Sequence, residues 1–264
     1  MKQHIFLIDA DNTLFPVGEQ VIPKETQKCI KQAQKKGHIF ALCTGRGLKD
    51  AQRIKGVKHF NYIAALTGTE MFDNNKKEII QHPQPLKTQS VQRLVEQCEK
   101  KGYSWTYKTI KGENTIFKFG NKARFHAKKV TTKTYEKDLN NGKILQMLIN
   151  FKVTKKTASM FEEFQFIAMP GGYADVLNKG VSKAKGVDFF KTRFPKAKIV
   201  AIGDAENDVG MFVTADISIA MGNATKSVKE KADFATKSVQ ENGVIYAITE
   251  ILNSTISRNK KRRL

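Results

Sequence analysis

Three short stretches of this sequence carry side chains suited to chemistry on an oxyanion. "HIFLIDADNTLF" (His4–Phe15) sets Asp9 and Asp11 directly after the apolar run Ile5–Ile8. "HIFALC" (His38–Cys43) runs into Thr44, Gly45 and Arg46, and "KIVAIG" (Lys198–Gly203) into Asp204, Asn207 and Asp208. Burying an acid at the end of an apolar strand is costly unless something pairs with it. Carboxylates converging from different strands must therefore take up protons or hold a cation. Oxygen ligands with no Cys or His among them favour Mg²⁺, which keeps part of its water shell and prefers phosphate-bearing substrates. Thr44 and Gly45 suit an anion held by backbone N–H and side-chain O–H groups. Lys183, after "NKGVS" at the start of a helical stretch, supplies a positive charge beside it.

These residues meet only if the runs before them lie side by side. Up to about residue 82 the chain alternates strand and helix. The helical "KETQKCIKQAQKKG" closes at Gly37, and a helix from Leu48 precedes the third apolar run "FNYIAAL" (Phe60–Leu66). Short continuous apolar strands separated by helices indicate a parallel sheet covered on both faces, whose ligands bind beyond the carboxyl ends of the strands. "QHPQPLKTQ" reads as a linker. A helix (Ser90–Lys101), strand-like pieces (Ser104–Ile110, Thr115–Phe119, Ile144–Phe151), a helix (Lys155–Glu163) and the strand "FQFIAM" before "PGG" follow. Alternation then resumes with helix Lys183–Thr192, strand Lys198–Gly203, helix Asn207–Thr214, strand Ile217–Met221 and helix Lys226–Lys231. The expected fold class is α/β, a Rossmann-like parallel-sheet core of residues 1–82 and 173–264 interrupted by an α+β module at 83–172.

Composition narrows the function classes. The 264 residues suffice for a sizeable core, and no segment approaches the roughly 20 apolar residues that span a bilayer. Cys29, Cys43 and Cys98 are odd in number and lack metal or disulfide spacing, and His4, His38, His59, His82 and His126 are equally scattered. The expectation is a cytoplasmic protein without a zinc site. The net charge of +21 fits attraction of anionic substrates, or a solvated basic surface. No aromatic–basic RNA-binding pattern or helix-turn-helix accompanies it, so nucleic acid is not the expected partner. The tail "SRNKKRRL" (Ser257–Leu264) is a terminal charge run, and Trp105 is read as surface or module core.

In order, "DADNTL", "TGR", "GVSK" and "GDAENDVGM" match the four motifs of the haloacid dehalogenase-like (HAD) phosphatase superfamily. The long insert before "KGVSK", with "ADISIAMGNATKSVKEKADFAT" and "ENGV" after it, resembles the Cof-type branch (subfamily IIB) of sugar-phosphate and cofactor phosphatases. The resemblance implies a HAD fold with an inserted α/β cap that selects the substrate. It implies an Mg²⁺-dependent phosphatase acting on small phosphorylated metabolites through an aspartyl-phosphate. Asp9 would be the nucleophile and Asp11 the acid and base. Mg²⁺ would be held by the Asp9 carboxylate, the Asp11 carbonyl and Asp204, with Asp208 in support. The Ala10 N–H, Thr44, Gly45, Lys183 and Asn207 would hold the phosphoryl oxygens.

Two stretches depart from the family pattern. Asn12 stands where glycine is usual, and "LTGTEMFD" (Leu66–Asp73) replaces the usual Asn-Gly-Ala segment. Asparagine tolerates positive φ better than most residues, so the turn after Asp11 is expected to persist. The second departure bears on substrate preference more than on chemistry. A phosphomutase using the same aspartyl-phosphate, and a non-catalytic basic nucleic-acid-binding protein, are the alternative readings.

Overall fold

Ile5–Ile8 are buried without exposed surface, as expected of a strand covered on both faces. The computed structural model describes residues 2–115, 128–150 and 153–253. His126, the tail Ser257–Leu264, and the expected strands beyond Thr115 and at Phe151 lie outside them. In chain order, the first part holds β1 (His4–Ile8), α1 (Lys24–Lys35), β2 (Ile39–Cys43), α2 (Leu48–Gln52), β3 (Tyr62–Ala65), β4 (Glu70–Asp73) and β5 (Glu78–Gln81). The middle holds α3 (Thr88–Lys100), β6 (Trp105–Thr109), β7 (Gly112–Thr115), β8 (Lys128–Lys129), α4 (Thr132–Asn140), β9 (Gln146–Ile149), α5 (Lys155–Ser159), β10 (Phe164–Met169) and β11 (Tyr173–Asn178). The last part holds α6 (Ala184–Arg193), β12 (Lys198–Gly203), α7 (Val209–Thr214), β13 (Ile217–Ala220), α8 (Lys226–Lys229), β14 (Phe234–Ala235) and α9 (Gly243–Asn253).

The chain divides into two units, residues 1–82 with 182–264, and residues 83–181. In the first unit eight strands run in the order β14-β13-β12-β1-β2-β3-β4-β5, parallel from β14 to β3 and antiparallel at β4 and β5. One apolar layer gathers Phe6, Ile8, Phe40, Leu42, Ile30 and Ile248 on one face. The other gathers Leu7, Cys43, Ala64, Val187, Phe190 and Met211. Alternate residues of β1 feed the two layers, as a strand of period two requires. The sequence reading missed the β4–β5 hairpin and α9. β4 is buried along its whole length and shows no alternation to mark it.

In the second unit the sheet order is β10-β11-β9-β6-β7-β8. It packs with α3 and α4 around Leu94, Cys98, Trp105, Tyr107, Tyr135 and Met147. Trp105 is buried there, 4.9 Å from Tyr135 between ring centroids, and is a core residue of this unit. The second junction falls between Val181 and Ser182, nine residues past the boundary drawn at 172/173. Tyr173–Asn178 pairs antiparallel with both β10 and β9, and this pairing places it in the second sheet. The expected helix Lys155–Glu163 stops at Ser159, where Phe161 and Phe164 turn inward. Among the described residues, no helix is long and apolar enough to cross a membrane.

Candidate active site

Adjacent strands bring the acids together. β1 and β12 are neighbours with Ile8 opposite Ile202, so Asp9 and Asp204 leave the sheet at the same edge. β2 lies on the other side of β1 and ends at Cys43, delivering Thr44 to that edge. One side-chain oxygen from each of Asp9, Asp204 and Asp208 lies within 4.8 Å of the other two.

Lys183 caps α6 and is fully buried, with its Nζ 2.5 Å from Asp9 Oδ1 and 2.6 Å from Asp208 Oδ1. α6 packs tightly at this edge, and Gly68 is the glycine that permits it. A Cβ on Gly186 of α6 would touch Cys43 and Leu7 at 3.4 Å, so α6 lies directly on the sheet. Gly68 has a φ of 82°, and a Cβ there would stand 2.8 Å from the Gly186 nitrogen. The second oxygen of Asp208 accepts the N–H groups of Asp204 at 2.9 Å and Ala205 at 3.0 Å. Asp208 is thereby fully committed: one oxygen orients Lys183 and the other shapes the loop that presents Asp204. Thr13 donates its hydroxyl to Asp204 Oδ1 at 2.9 Å.

The electrostatics follow from three buried or half-buried carboxylates facing one ammonium. Burial pushes the Asp9 carboxyl well above the usual range, with Asp208 and Asp204 adding to the shift and Lys183 opposing it. Asp204 is pushed up to about 6 by burial and then by Asp208. Burial works against the charge on Lys183, but Asp208 and Asp9 outweigh it and hold its pKa above the ordinary value. With all three acids ionised the cluster keeps two uncompensated negative charges, which a divalent cation neutralises. The all-oxygen donor set fits Mg²⁺.

The Asp11 carboxylate stands apart from this cluster. Arg46 grips it from both sides, with Nη2 2.6 Å from Oδ1 and Nε 3.0 Å from Oδ2. The guanidinium also lies over the Phe15 ring, 5.8 Å from its centroid. Among the described residues the Ala10 N–H meets no backbone or side-chain acceptor, although Ala10 is fully buried. The Asn207 side-chain oxygen is likewise buried without a hydrogen-bond partner. The Thr44 hydroxyl accepts the Arg46 N–H at 3.1 Å. The sequence reading names Arg46 at its strand end but gives it no role, and Thr13 is not among the residues it singles out. Arg46 was legible in principle, as a cation three residues beyond a strand end neighbouring that of Asp11. Thr13 had no signal apart from its closeness to Asp11.

Asn12 takes a φ of 60°, the left-handed conformation that its place after Asp11 led us to expect. Its carbonyl accepts from Asn223 Nδ2 at 2.9 Å, while among the described residues its own side chain makes no hydrogen bond. Asn12→Gly is therefore expected to stay within ~1 kcal/mol of wild-type stability, because glycine adopts the same turn but enlarges the unfolded ensemble. It should also retain hydrolysis of p-nitrophenyl phosphate. A variant that melts normally yet has no turnover would reveal a specific role for the Asn12 side chain. In "LTGTEMFD", Leu66 and Thr67 also adopt positive φ, 46° and 60°. For the β-branched Thr67 this is a true outlier, costing about 1–3 kcal/mol. Its loop is pinned by the Thr67 N–H to the Thr44 carbonyl and the Leu66 N–H to the Arg46 carbonyl.

Comparison with known proteins places the chain among relatives. A sequence model of the haloacid dehalogenase-like hydrolase family matches residues 6–248. The chain is 28% identical over 247 residues to the 5-amino-6-(5-phospho-D-ribitylamino)uracil phosphatase YcsE of Bacillus subtilis, covering 92% of this chain and 94% of that one. The phosphatase BT1666 of Bacteroides thetaiotaomicron superposes with a TM-score of 0.80 at 22% identity, over 95% of each chain. The subclass IIB sugar phosphatase BT4131 does so with a TM-score of 0.77 at 22% identity, over 95% of this chain and 99% of that one. At those identities the two structures speak for the fold, and the family match speaks for membership. The chain belongs to the haloacid dehalogenase-like hydrolase family.

Proposed function

We propose that this protein is an Mg²⁺-dependent phosphatase that hydrolyses small phosphorylated metabolites, sugar phosphates or phosphorylated cofactors, through an aspartyl-phosphate. The observation that carries the reading is the cluster at one sheet edge, in which a fully buried Lys183 bridges Asp9 and Asp208 beside Asp204. Every residue of this reading lies in the unit formed by 1–82 and 182–264, to which we assign the chemistry. The other unit we assign to substrate selection.

Lys183 engages Asp9 Oδ1, which orients the carboxylate and leaves its other oxygen to attack phosphorus. A bond forms from Asp9 to phosphorus as the bond to the leaving oxygen breaks, and Asp11 protonates that oxygen. Asp11 then takes a proton from water, which attacks the phosphoryl group and frees Asp9 and inorganic phosphate. The Ala10 N–H, Thr44, Gly45, Lys183 and Asn207 hold the phosphoryl oxygens. The Ala10 N–H without an acceptor is consistent with a site that receives an anion, while the orphaned Asn207 oxygen is free to meet a donor or a cation. The Asp9 carboxylate, the Asp11 carbonyl and Asp204 would hold Mg²⁺, with Asp208 behind them. When bound, the ion offsets the repulsion between an anionic nucleophile and an anionic phosphate. Three free cysteines suit a reducing compartment, and we place the enzyme in the cytoplasm.

A panel of sugar phosphates and phosphorylated cofactors, assayed for inorganic phosphate with Mg²⁺ and with EDTA, tests the proposal. Phosphate release that EDTA abolishes is expected. An isomerised sugar phosphate formed without free phosphate would replace hydrolysis by mutase chemistry.

A further inference from the structure

The sequence alone leaves the basic excess as either a solvated surface or an attraction for anions, but the fold gathers part of it into one stripe. Lys24, Lys28, Lys31 and Lys35 of α1 recur at four, three and four residues, so they share a sector about 60° wide along roughly 16 Å of helix. All four are exposed. The buried residues of α1, Thr26, Ile30 and Ala33, lie on the opposite side, so the stripe points straight outward. Among the described residues none of the four is ion-paired, and the single acid of the helix, Glu25, lies outside their sector.

Local stability does not explain this arrangement. Like charges three or four residues apart repel along a helix, and Lys24 and Lys28 sit in the amino-terminal half, where the helix dipole favours acids. A partner carrying negative charge at close intervals would remove both penalties. The segment beside α1 extends the basic surface. The Lys55 carbonyl accepts the Ile22 N–H just before the helix, and Gln34 of α1 donates to the His59 carbonyl at 2.8 Å, next to Lys58. Lys55 and Lys58 are exposed as well.

We propose that the outward face of α1, flanked by Lys55 and Lys58, binds the phosphate backbone of duplex nucleic acid without reading its sequence. A duplex carries one negative charge per ~1.7 Å of axis, so the stripe faces a dense row of phosphates. No aromatic side chain occurs in α1 to stack on unpaired bases, which separates this surface from single-strand platforms. Nor does the outward face carry the apolar seam by which a basic helix enters a membrane interface.

The test is fluorescence anisotropy of a labelled 20-base-pair DNA duplex with the full chain, from 50 to 200 mM KCl. Each neutralised phosphate contributes about −0.9 to the slope of log K against log salt, so a slope of about −4 to −5 is expected. The variant with Lys24, Lys28, Lys31 and Lys35 all changed to Gln should bind at least about tenfold more weakly, with a slope shallower by roughly 3 to 4. A control with Lys100, Lys111, Lys128 and Lys133 changed to Gln removes the same charge from the other unit and should bind as wild type does. Both variants should melt normally, and the α1 variant should keep wild-type hydrolysis of p-nitrophenyl phosphate. No binding by wild type at 50 mM KCl would overturn the proposal, and so would equal losses in the two variants. Binding to phosphatidylserine-containing vesicles but not to the duplex would replace it with a membrane surface. The binding measurements are read independently of turnover, so they stand whether or not the catalytic proposal holds.

Discussion

Asp9→Asn is expected to purify folded and to lose hydrolysis of p-nitrophenyl phosphate by roughly 10⁴-fold or more in kcat, the scale seen when a covalent nucleophile is removed. The substitution keeps the shape of the side chain and an oxygen for Lys183 at the Oδ1 position. It also removes one of three crowded negative charges at a place where burial already favours the neutral form. Its melting temperature in EDTA should therefore equal or exceed that of wild type. The two readouts separate the possible roles of the residue: a structural Asp9 would lower stability, whereas a nucleophile lowers turnover alone. Unchanged Mg²⁺-dependent turnover in this variant would show that the assignment of Asp9 is wrong.

Lys183→Met is expected to cost both stability and turnover. Nothing else among the described ion pairs neutralises Asp9 or Asp208, and all three groups are buried. Breaking a buried ion pair by deleting one partner typically costs about 3–5 kcal/mol, because the other charge is left unpaired. At about 2–4 °C per kcal/mol for a chain of this size, that is a fall of roughly 10 °C in melting temperature. The sign of the pH dependence follows from Asp9. Its pKa in the folded protein already lies above the ordinary value, and losing the ammonium raises it further. A carboxyl with a raised folded pKa binds its proton more tightly when folded, so that stabilisation is present at low pH and lost as pH rises. The deficit of the variant against wild type should thus be larger at pH 8 than at pH 5, as measured by thermal melts in EDTA. Equal melting temperatures at pH 8 would mean that the acids are compensated by groups other than Lys183.

Asp9, Thr44 and Asp204 were legible because each stands where an apolar run stops. Ile5–Ile8 and Ile199–Ile202 announce strands, and a polar residue just past such a run can only sit at a sheet edge. The sequence reading ends the inserted module at Pro170–Gly172, a turn signal, whereas Tyr173–Asn178 beyond it still belongs to the second unit. Only its antiparallel pairing with Phe164–Met169 and Gln146–Ile149 assigns it to the second sheet. Pairing partners are long-range choices that composition does not encode.

From the sequence alone came the acids, the lysine, the order of the motifs and the turn at Asn12, since each depends on local chemistry or on the chain neighbours of one residue. Tertiary structure alone decided that Asp208 serves Lys183 and the Asp204 loop. It also decided that Asp11 is gripped by Arg46 rather than joining the other acids. Those outcomes depend on which strands become neighbours and on how closely Gly68 lets its loop approach α6. The same holds for the lysines of α1. Their spacing is in the sequence, but burial of Thr26, Ile30 and Ala33 against the sheet turns that spacing into an outward face.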